Sequence, residues 1–223
     1  MGSMGNSTAR QRREQRGAAT GLLAVVIGVA AMLFERGPLL PGDPAAAAAH
    51  LAAHHGAMVA QSMLLLAGSG VYLWFLGSLR AFAVRYEPAP GRLSHVLFGA
   101  GIAWVSMSMV AQAFQLGVAT APGSSASPEL IATMNAMFTI ANLPLALLLG
   151  AVAVVSLRYR AFPVWLGCVA AVAGLAQALL WLSSVIQTGP LAPDGWLSYA
   201  LYPAFVIWLV PTVIVMIKRL GPG

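Results

Sequence analysis

Two histidines one helical turn apart are the clearest candidates for chemistry in the sequence. His50 and His54 lie in an alanine-rich stretch, and a helix would place both on one face. With a carboxylate from another loop, such as Glu35 or Asp194, they would supply the donors of a metal or haem site. The alternative is a pair of solvated histidines at a membrane edge. Since the stretch lacks the glutamate of an HExxH motif, we expect no bound metal or cofactor.

Acidic residues form a second group of candidates, because four of the six belong to one predicted side of the membrane: Glu35, Asp43, Glu129 and Asp194. Asp43 reads as a helix N-cap and Glu129 as a first-turn residue favoured by the helix dipole. Asp194 and Glu35 are the candidates for a protonated catalytic acid, with His54 as the group that takes up the final proton. The alternatives are a helix N-cap for Asp194 and a simple membrane-edge charge for Glu35.

Aromatic and uncharged polar side chains inside the apolar runs are candidates for substrate contacts. The aromatic candidates, which would present ring faces to a carbocation, are Trp181, Trp208, Tyr199, Tyr202 and Phe138. The polar candidates are Asn135, Asn142 and Gln177, with Asn135 and Asn142 seven residues apart and hence on one face of a continuous helix. Interhelical hydrogen bonds and ordinary packing are the alternatives for both groups.

The composition predicts the elements that must hold these residues. The chain has 223 residues, of which 59% are hydrophobic and 8% charged, whereas soluble domains carry about 25% charged residues. Because about 20 apolar residues span a bilayer, we expect six spans at about 17–34, 56–79, 93–118, 130–157, 163–186 and 196–217. The fold class is therefore an all-α, six-helix transmembrane bundle in a multi-pass protein of the cell membrane.

Short connections indicate a single six-helix domain over residues 17–219. Residues 1–16 read as a tag remnant followed by a basic tail, and residues 220–223 as a C-terminal tail. If helix two ran unbroken from Pro44 to Leu79 it would overshoot the bilayer. We therefore expect its first part to stand above the membrane or to lie in the interface, with a bend near Gly56. Gly17 and Gly21 form a GxxxG step that favours close helix packing.

The basic residues predict the orientation. Eleven of the twelve fall on one side if both termini are cytoplasmic, and only Arg36 falls on the other. This segregation explains the net charge of +6 better than nucleic-acid binding, which we exclude. The single cysteine, Cys168, lies in an apolar run and is expected to be a buried packing residue. The oligomeric state is left open.

Two resemblances bear on function. The histidine stretch at 50–55, "LWFLGSLRAF" at 73–82 and "NLPLALLLGAVAVVSLRYRAFPVWLG" at 142–167 resemble a broad set of actinobacterial six-span proteins of the domain-of-unknown-function type. In size, helix count and outer-edge carboxylates the chain is also similar to small bacterial membrane-bound terpene cyclases. The second resemblance implies a lyase or isomerase, and it carries over no catalytic residue.

Three functions follow as hypotheses. The first is a membrane-embedded enzyme that acts on an apolar isoprenoid by protonation, as a terpene cyclase does, since the chain has no DDxxD motif to hold magnesium. The second is a non-enzymatic protein that binds or transports a lipid or hydrophobic small molecule. The third is a haem or metal membrane protein that uses His50 and His54. An ion pump is disfavoured, because no charged residue falls near the centre of a predicted span.

Overall fold

The chain folds into helices joined by short connections. A computed structural model describes residues 3–35, 44–120, 127–186, 188–192 and 195–220. Over these ranges it has eight α-helices and no strand. They are α1 (Ser3–Met32), α2 (Pro44–Val84), α3 (Arg92–Thr120), α4 (Pro128–Ile140), α5 (Asn142–Tyr159), α6 (Val164–Leu182), α7 (Trp196–Leu201) and α8 (Ala204–Arg219).

The prediction of six membrane spans is confirmed at the level of length and composition. Six helical stretches are long and apolar enough to cross a bilayer: Arg13–Met32, Ala49–Val84, Arg92–Thr120, Pro128–Tyr159, Val164–Val185 and Trp196–Arg219. The chain is accordingly an all-α, multi-pass membrane protein. Helix α1 begins before the predicted first span, because it starts at Ser3 and continues through the basic segment as one helix.

Helix α2 is the longest element and shows no break at Gly56, where the sequence favoured a bend. It has 41 residues and is therefore about 60 Å long, well beyond the roughly 30 Å of hydrocarbon in a bilayer. Its alanine-rich first part packs through Ala47, Leu51 and Met58 in a second, smaller core. That core includes Val118 and Met134 from α3 and α4.

Two of the six spans are interrupted, which the predicted continuous helices did not include. Span four breaks at Ala141 between α4 and α5, and span six breaks between α7 and α8 just before Ala204. At the first break, the Asn142 side chain donates hydrogen bonds to the carbonyls of Phe138 at 3.3 Å and Thr139 at 3.0 Å. Asn142 thus supplies side-chain donors to carbonyl groups in the last turn of α4.

Small residues allow close approach between helices. A Cβ atom at Gly21 would lie 2.5 Å from Val213 of α8 and 2.7 Å from Phe75 of α2, and one at Gly17 would overlap Ser78. The predicted packing role of the GxxxG step is thereby confirmed. The prediction for Cys168 is wrong, because this side chain is exposed on the outer surface of α6. In a membrane span the outer face is apolar too, so an apolar run alone does not place a residue inside.

The helices begin and finish at two opposite ends of the bundle. We call them the Glu35 end, where α1 finishes, and the Glu87 end, where α2 finishes. At the Glu87 end, Arg85 pairs with Glu14 of α1, and Arg219 of α8 donates to the carbonyl of Ala161 at 2.6 Å.

The Glu87 side chain caps the N-terminal end of helix α3 from the loop that precedes it. Its two carboxylate oxygens accept the backbone N–H groups of Leu93 at 2.7 Å and Ser94 at 2.8 Å, which are donors that a helix start leaves unpaired. Desolvation of the carboxyl favours its neutral form, but these hydrogen bonds and the nearby His95 outweigh it. The pKa of Glu87 is consequently lowered from its ordinary value.

Candidate functional site

The main cavity lies inside the bundle, in the half nearer the Glu35 end. Its volume is about 610 Å³ and all six spans contribute to its wall. This volume falls within the range of about 300–1,000 Å³ that is typical of small-molecule sites. Both helix interruptions lie at it, since Ala141 and Asn142 line the cavity on one side and Tyr202 and Pro203 on another.

Six aromatic side chains dominate the wall: Tyr72, Trp104, Phe138, Tyr199, Tyr202 and Phe205. Three of these pack on one another. The ring of Tyr72 meets Trp104 edge-on with centroids 5.0 Å apart and Phe205 at 5.8 Å, and Trp104 lies 5.0 Å from Phe205. Such contacts hold the rings in defined positions. The cavity therefore has a rigid aromatic wall built from α2, α3 and α8.

Three buried polar atoms on the wall have no hydrogen-bond partner in the described part of the chain. They are the hydroxyl oxygen of Tyr72, Oε1 of Gln112 and Nε2 of Gln177. The side chains come from α2, α3 and α6 and are 3%, 4% and 1% exposed. Buried polar groups in proteins almost always have partners. All three residues line the same apolar cavity, where a ligand group or a water beside each atom would complete its hydrogen bonds.

The wall carries no formal charge over the residues that the structure describes, because no Asp, Glu, His, Lys or Arg lines the cavity. The other polar lining groups are Ser69, Ser108 and Asn142. In such surroundings a charged ligand would lose its hydration without a counter-charge, which is costly. The cavity is thus suited to a neutral molecule.

The structure brings together five of the eight side chains predicted for substrate contact, because Phe138, Asn142, Gln177, Tyr199 and Tyr202 all line the cavity. The remaining three lie elsewhere.

Trp208 is completely buried in the main core beside Phe205, with ring centroids 5.9 Å apart. Trp181 and Asn135 are half-buried and do not line the cavity. The break at Ala141 separates Asn135 from Asn142, so the two do not share a face of one continuous helix.

Sequence reasoning missed Tyr72, Trp104 and Phe205 as cavity residues. Each lies in an apolar run, where an aromatic residue fits the core, the lipid face and a cavity wall equally well. The available signal was Gln112, a polar residue deep in span three, which marks the face of α3 that points inward. Trp104 lies eight residues before it, close to that same face.

Glu35 and His54, which were predicted as an acid and as the proton acceptor, do not line the cavity. Glu35, His50 and His54 form a cluster of their own in which one donor atom from each lies within 4.8 Å of the others. Glu35 Oε2 is 3.2 Å from His50 Nε2, and the two imidazole rings stack at 4.4 Å. Asp194, the other predicted acid, lies outside the described residues.

Two buried glutamines support this cluster. Gln61 Nε2 donates to the backbone carbonyl of Glu35 at 2.8 Å, and Gln115 Nε2 donates to Gln61 Oε1 at 2.7 Å. Both glutamine side chains are completely buried. The chain of hydrogen bonds links α3, α2 and the end of α1, and so fixes where Glu35 stands relative to α2.

Comparisons with protein-family models, with curated proteins and with solved structures found no match to this chain. The functional argument therefore rests on the geometry of the cavity and of the Glu35 cluster.

Proposed function

We propose that the protein binds a neutral, largely apolar small molecule that carries a hydroxyl or carbonyl group, inside the membrane. The supporting observation is the set of unpaired polar atoms of Tyr72, Gln112 and Gln177 on the wall of an apolar, aromatic cavity. A buried polar atom without a partner costs about 1–3 kcal/mol. A ligand group that pairs with these atoms recovers that free energy.

The polar atoms specify what the ligand group does. Gln112 Oε1 accepts a hydrogen bond, Gln177 Nε2 donates one, and the Tyr72 hydroxyl does either. An alcohol hydroxyl both donates and accepts, so it can pair with any one of these atoms. The apolar wall then takes the rest of the molecule. Isoprenoid alcohols and similar neutral lipids combine these properties.

Orientation in the membrane is part of the proposal. We infer that both termini face the cytoplasm, because eleven of the twelve basic residues then lie on the cytoplasmic side. The cavity belongs in this arrangement to the outer half of the cell membrane. An apolar ligand would reach it from the bilayer.

The proposal is tested by binding of tritiated farnesol to purified protein in nanodiscs, with farnesene as the matched hydrocarbon competitor. We expect farnesol to compete at least about tenfold better than farnesene, because only the alcohol pairs with the polar atoms. Gln177→Leu and Gln112→Leu remove one partner each and should weaken farnesol binding by about fivefold. Farnesene binding should change little in either variant.

Gln115→Leu is the matched control, because it removes a buried glutamine of α3 that does not line the cavity. It should leave the preference for farnesol unchanged. Equal competition by farnesol and farnesene, or Gln177→Leu and Gln112→Leu variants that bind farnesol like the natural protein, would contradict the proposal.

A second candidate function, an isoprenoid cyclase, is favoured by the aromatic wall. A carboxylic acid would donate its proton to an alkene carbon, the double bond would supply the electrons of the new C–H bond, and aromatic faces would stabilise the resulting carbocation. The acid must come from outside the described wall, and Asp194 and Glu35 are the candidates. Product formation from polyprenyl substrates that is unaffected by both Asp194→Asn and Glu35→Gln would exclude this initiation.

A further inference from the structure

We propose that Glu35, His50 and His54 bind a divalent transition-metal ion of the Zn²⁺ type at the Glu35 end of the bundle. One donor atom from each side chain lies within 4.8 Å of the others. This site is separate from the cavity, since none of the three side chains lines it. The inference is therefore independent of the proposed ligand.

The donor set selects the class of ion. Two imidazole nitrogens and one carboxylate oxygen suit Zn²⁺, Co²⁺, Ni²⁺ and Cu²⁺, whereas Mg²⁺ and Ca²⁺ prefer oxygen ligands alone. Two histidines and a glutamate are also a known protein ligand set for zinc with one position left open. Helical spacing of four residues places both imidazoles on the same face of α2, and their rings stack at 4.4 Å.

The hydrogen bond of His54 leaves its other ring nitrogen, Nε2, available as a ligand atom. Its Nδ1 lies 3.2 Å from the backbone carbonyl of His50. Because a carbonyl oxygen only accepts, Nδ1 carries the proton and Nε2 keeps its lone pair. Histidine ligands of metals commonly donate their other N–H group to a carbonyl in this way. His54 is thus held in the tautomer that a metal ligand needs.

Hydrogen bonds also fix the position of Glu35. The Gln61–Gln115 pair holds the backbone of Glu35 through a hydrogen bond of 2.8 Å to its carbonyl. The Glu35 side chain is 14% exposed and that of His50 is 30% exposed, and the two are 3.2 Å apart. Partial burial of an acid against a histidine concentrates donor atoms in a site that water still reaches.

The spacing requires a small adjustment on binding. Donor atoms in a tetrahedral zinc site lie about 3.4 Å apart, given metal–ligand distances of about 2.1 Å. The Glu35–His50 pair at 3.2 Å already matches. The farthest pair has to approach by at most about 1.4 Å, which side-chain rotation of the exposed His54 supplies.

The test is a Co²⁺ titration of purified protein without a polyhistidine tag, followed by visible absorbance and then displacement by Zn²⁺. We expect absorption bands of nitrogen- and oxygen-coordinated Co²⁺ and saturation at one ion per chain. His50→Ala, His54→Ala and Glu35→Gln should each weaken Co²⁺ binding by at least about tenfold. His54 is exposed, so its replacement leaves the buried core intact.

His55→Ala is the matched control, because His55 is the exposed neighbour of His54 and does not belong to the cluster. It should bind Co²⁺ like the natural protein. Zn²⁺ should also raise the melting temperature of the natural protein and not that of His54→Ala, since a ligand that binds only the folded state stabilises it. Lack of Co²⁺ binding, or equal weakening by His55→Ala and His54→Ala, would overturn the proposal.

Discussion

The Tyr72 hydroxyl should have opposite effects on the stability of the ligand-free protein and on its affinity for the ligand. Its ring lies against Trp104 and Phe205, whereas its hydroxyl is buried without a partner among the described residues. In the empty protein this hydroxyl is a cost, and with a ligand hydroxyl beside it the same group becomes a favourable contact. Stability and affinity should therefore respond to its removal with opposite signs.

We predict that Tyr72→Phe raises the melting temperature of the ligand-free protein in detergent, corresponding to a stability gain of about 1 kcal/mol. The ring contacts remain, while the unpaired hydroxyl is gone. The same variant should bind farnesol about fivefold more weakly. Tyr199→Phe, at a half-exposed tyrosine of the wall, serves as the control. A Tyr72→Phe protein that is less stable when empty would show that the hydroxyl already has a partner.

Two side chains of α8 show why the sequence does not predict which residues line the cavity. Phe205 and Trp208 are three residues apart in the same helix, yet Phe205 lines the cavity and Trp208 is sealed in the core. In a soluble helix, polarity separates the inner from the outer face. A membrane helix is apolar on both, so its rotation about its own axis follows from packing with neighbours rather than from the local pattern.

At the scale of elements, close helix contacts depend on a few small residues. Gly21 of α1 lies against Phe75 of α2 and Val213 of α8, and an added methyl group would approach both to less than 3 Å. Gly28, two turns along the same helix, has open space instead. The two glycines therefore make a matched pair in one element.

We predict that Gly21→Ala lowers stability by about 1–3 kcal/mol, because the methyl group forces α1 away from its neighbours. Gly28→Ala should be neutral or stabilising, since alanine favours helix more than glycine does. Thermal unfolding of both variants in the same detergent measures the difference. A Gly21→Ala variant as stable as Gly28→Ala would mean that α1 does not pack as closely as described.

The six spans were predictable from the sequence, because a long apolar run has few alternatives in a chain with so few charges. The interruptions at Ala141 and before Ala204 were not predicted, although two prolines marked them. Pro144 lies in the first turn of α5, where a missing N–H costs nothing, and Pro203 precedes α8. Reading a proline as a kink or as the start of a new helix requires knowledge of the packing around it, which the local sequence does not contain.

At the scale of the whole molecule, the charged residues that the structure describes lie towards the two ends of the bundle. The Glu87 end holds nearly all the basic residues, and Arg85 and Arg219 each contact another helix there. The Glu35 end holds the histidine–carboxylate cluster. Between them the wall of the cavity is uncharged throughout its described part. A molecule so arranged separates a polar end, where we propose the metal site, from an apolar cavity, where we propose ligand binding.

We predict that the Glu87 end faces the cytoplasm. In a Cys168→Ser background, Thr188→Cys at the Glu35 end should react with a membrane-impermeant maleimide on intact cells. Ala89→Cys at the Glu87 end should react only after permeabilisation. Both positions are exposed loop residues, so accessibility alone does not distinguish them. The reverse pattern would place both termini outside.

Cys168 has a practical consequence of its own. It is the single thiol of the chain, it is exposed, and it stands in the second turn of α6. A spin label or fluorophore attached there would project outward, away from the cavity and from the Glu35 cluster. The protein thus comes with a ready anchor for spectroscopic distance measurements, from which movements of the other helices can be followed as ligand or metal is added.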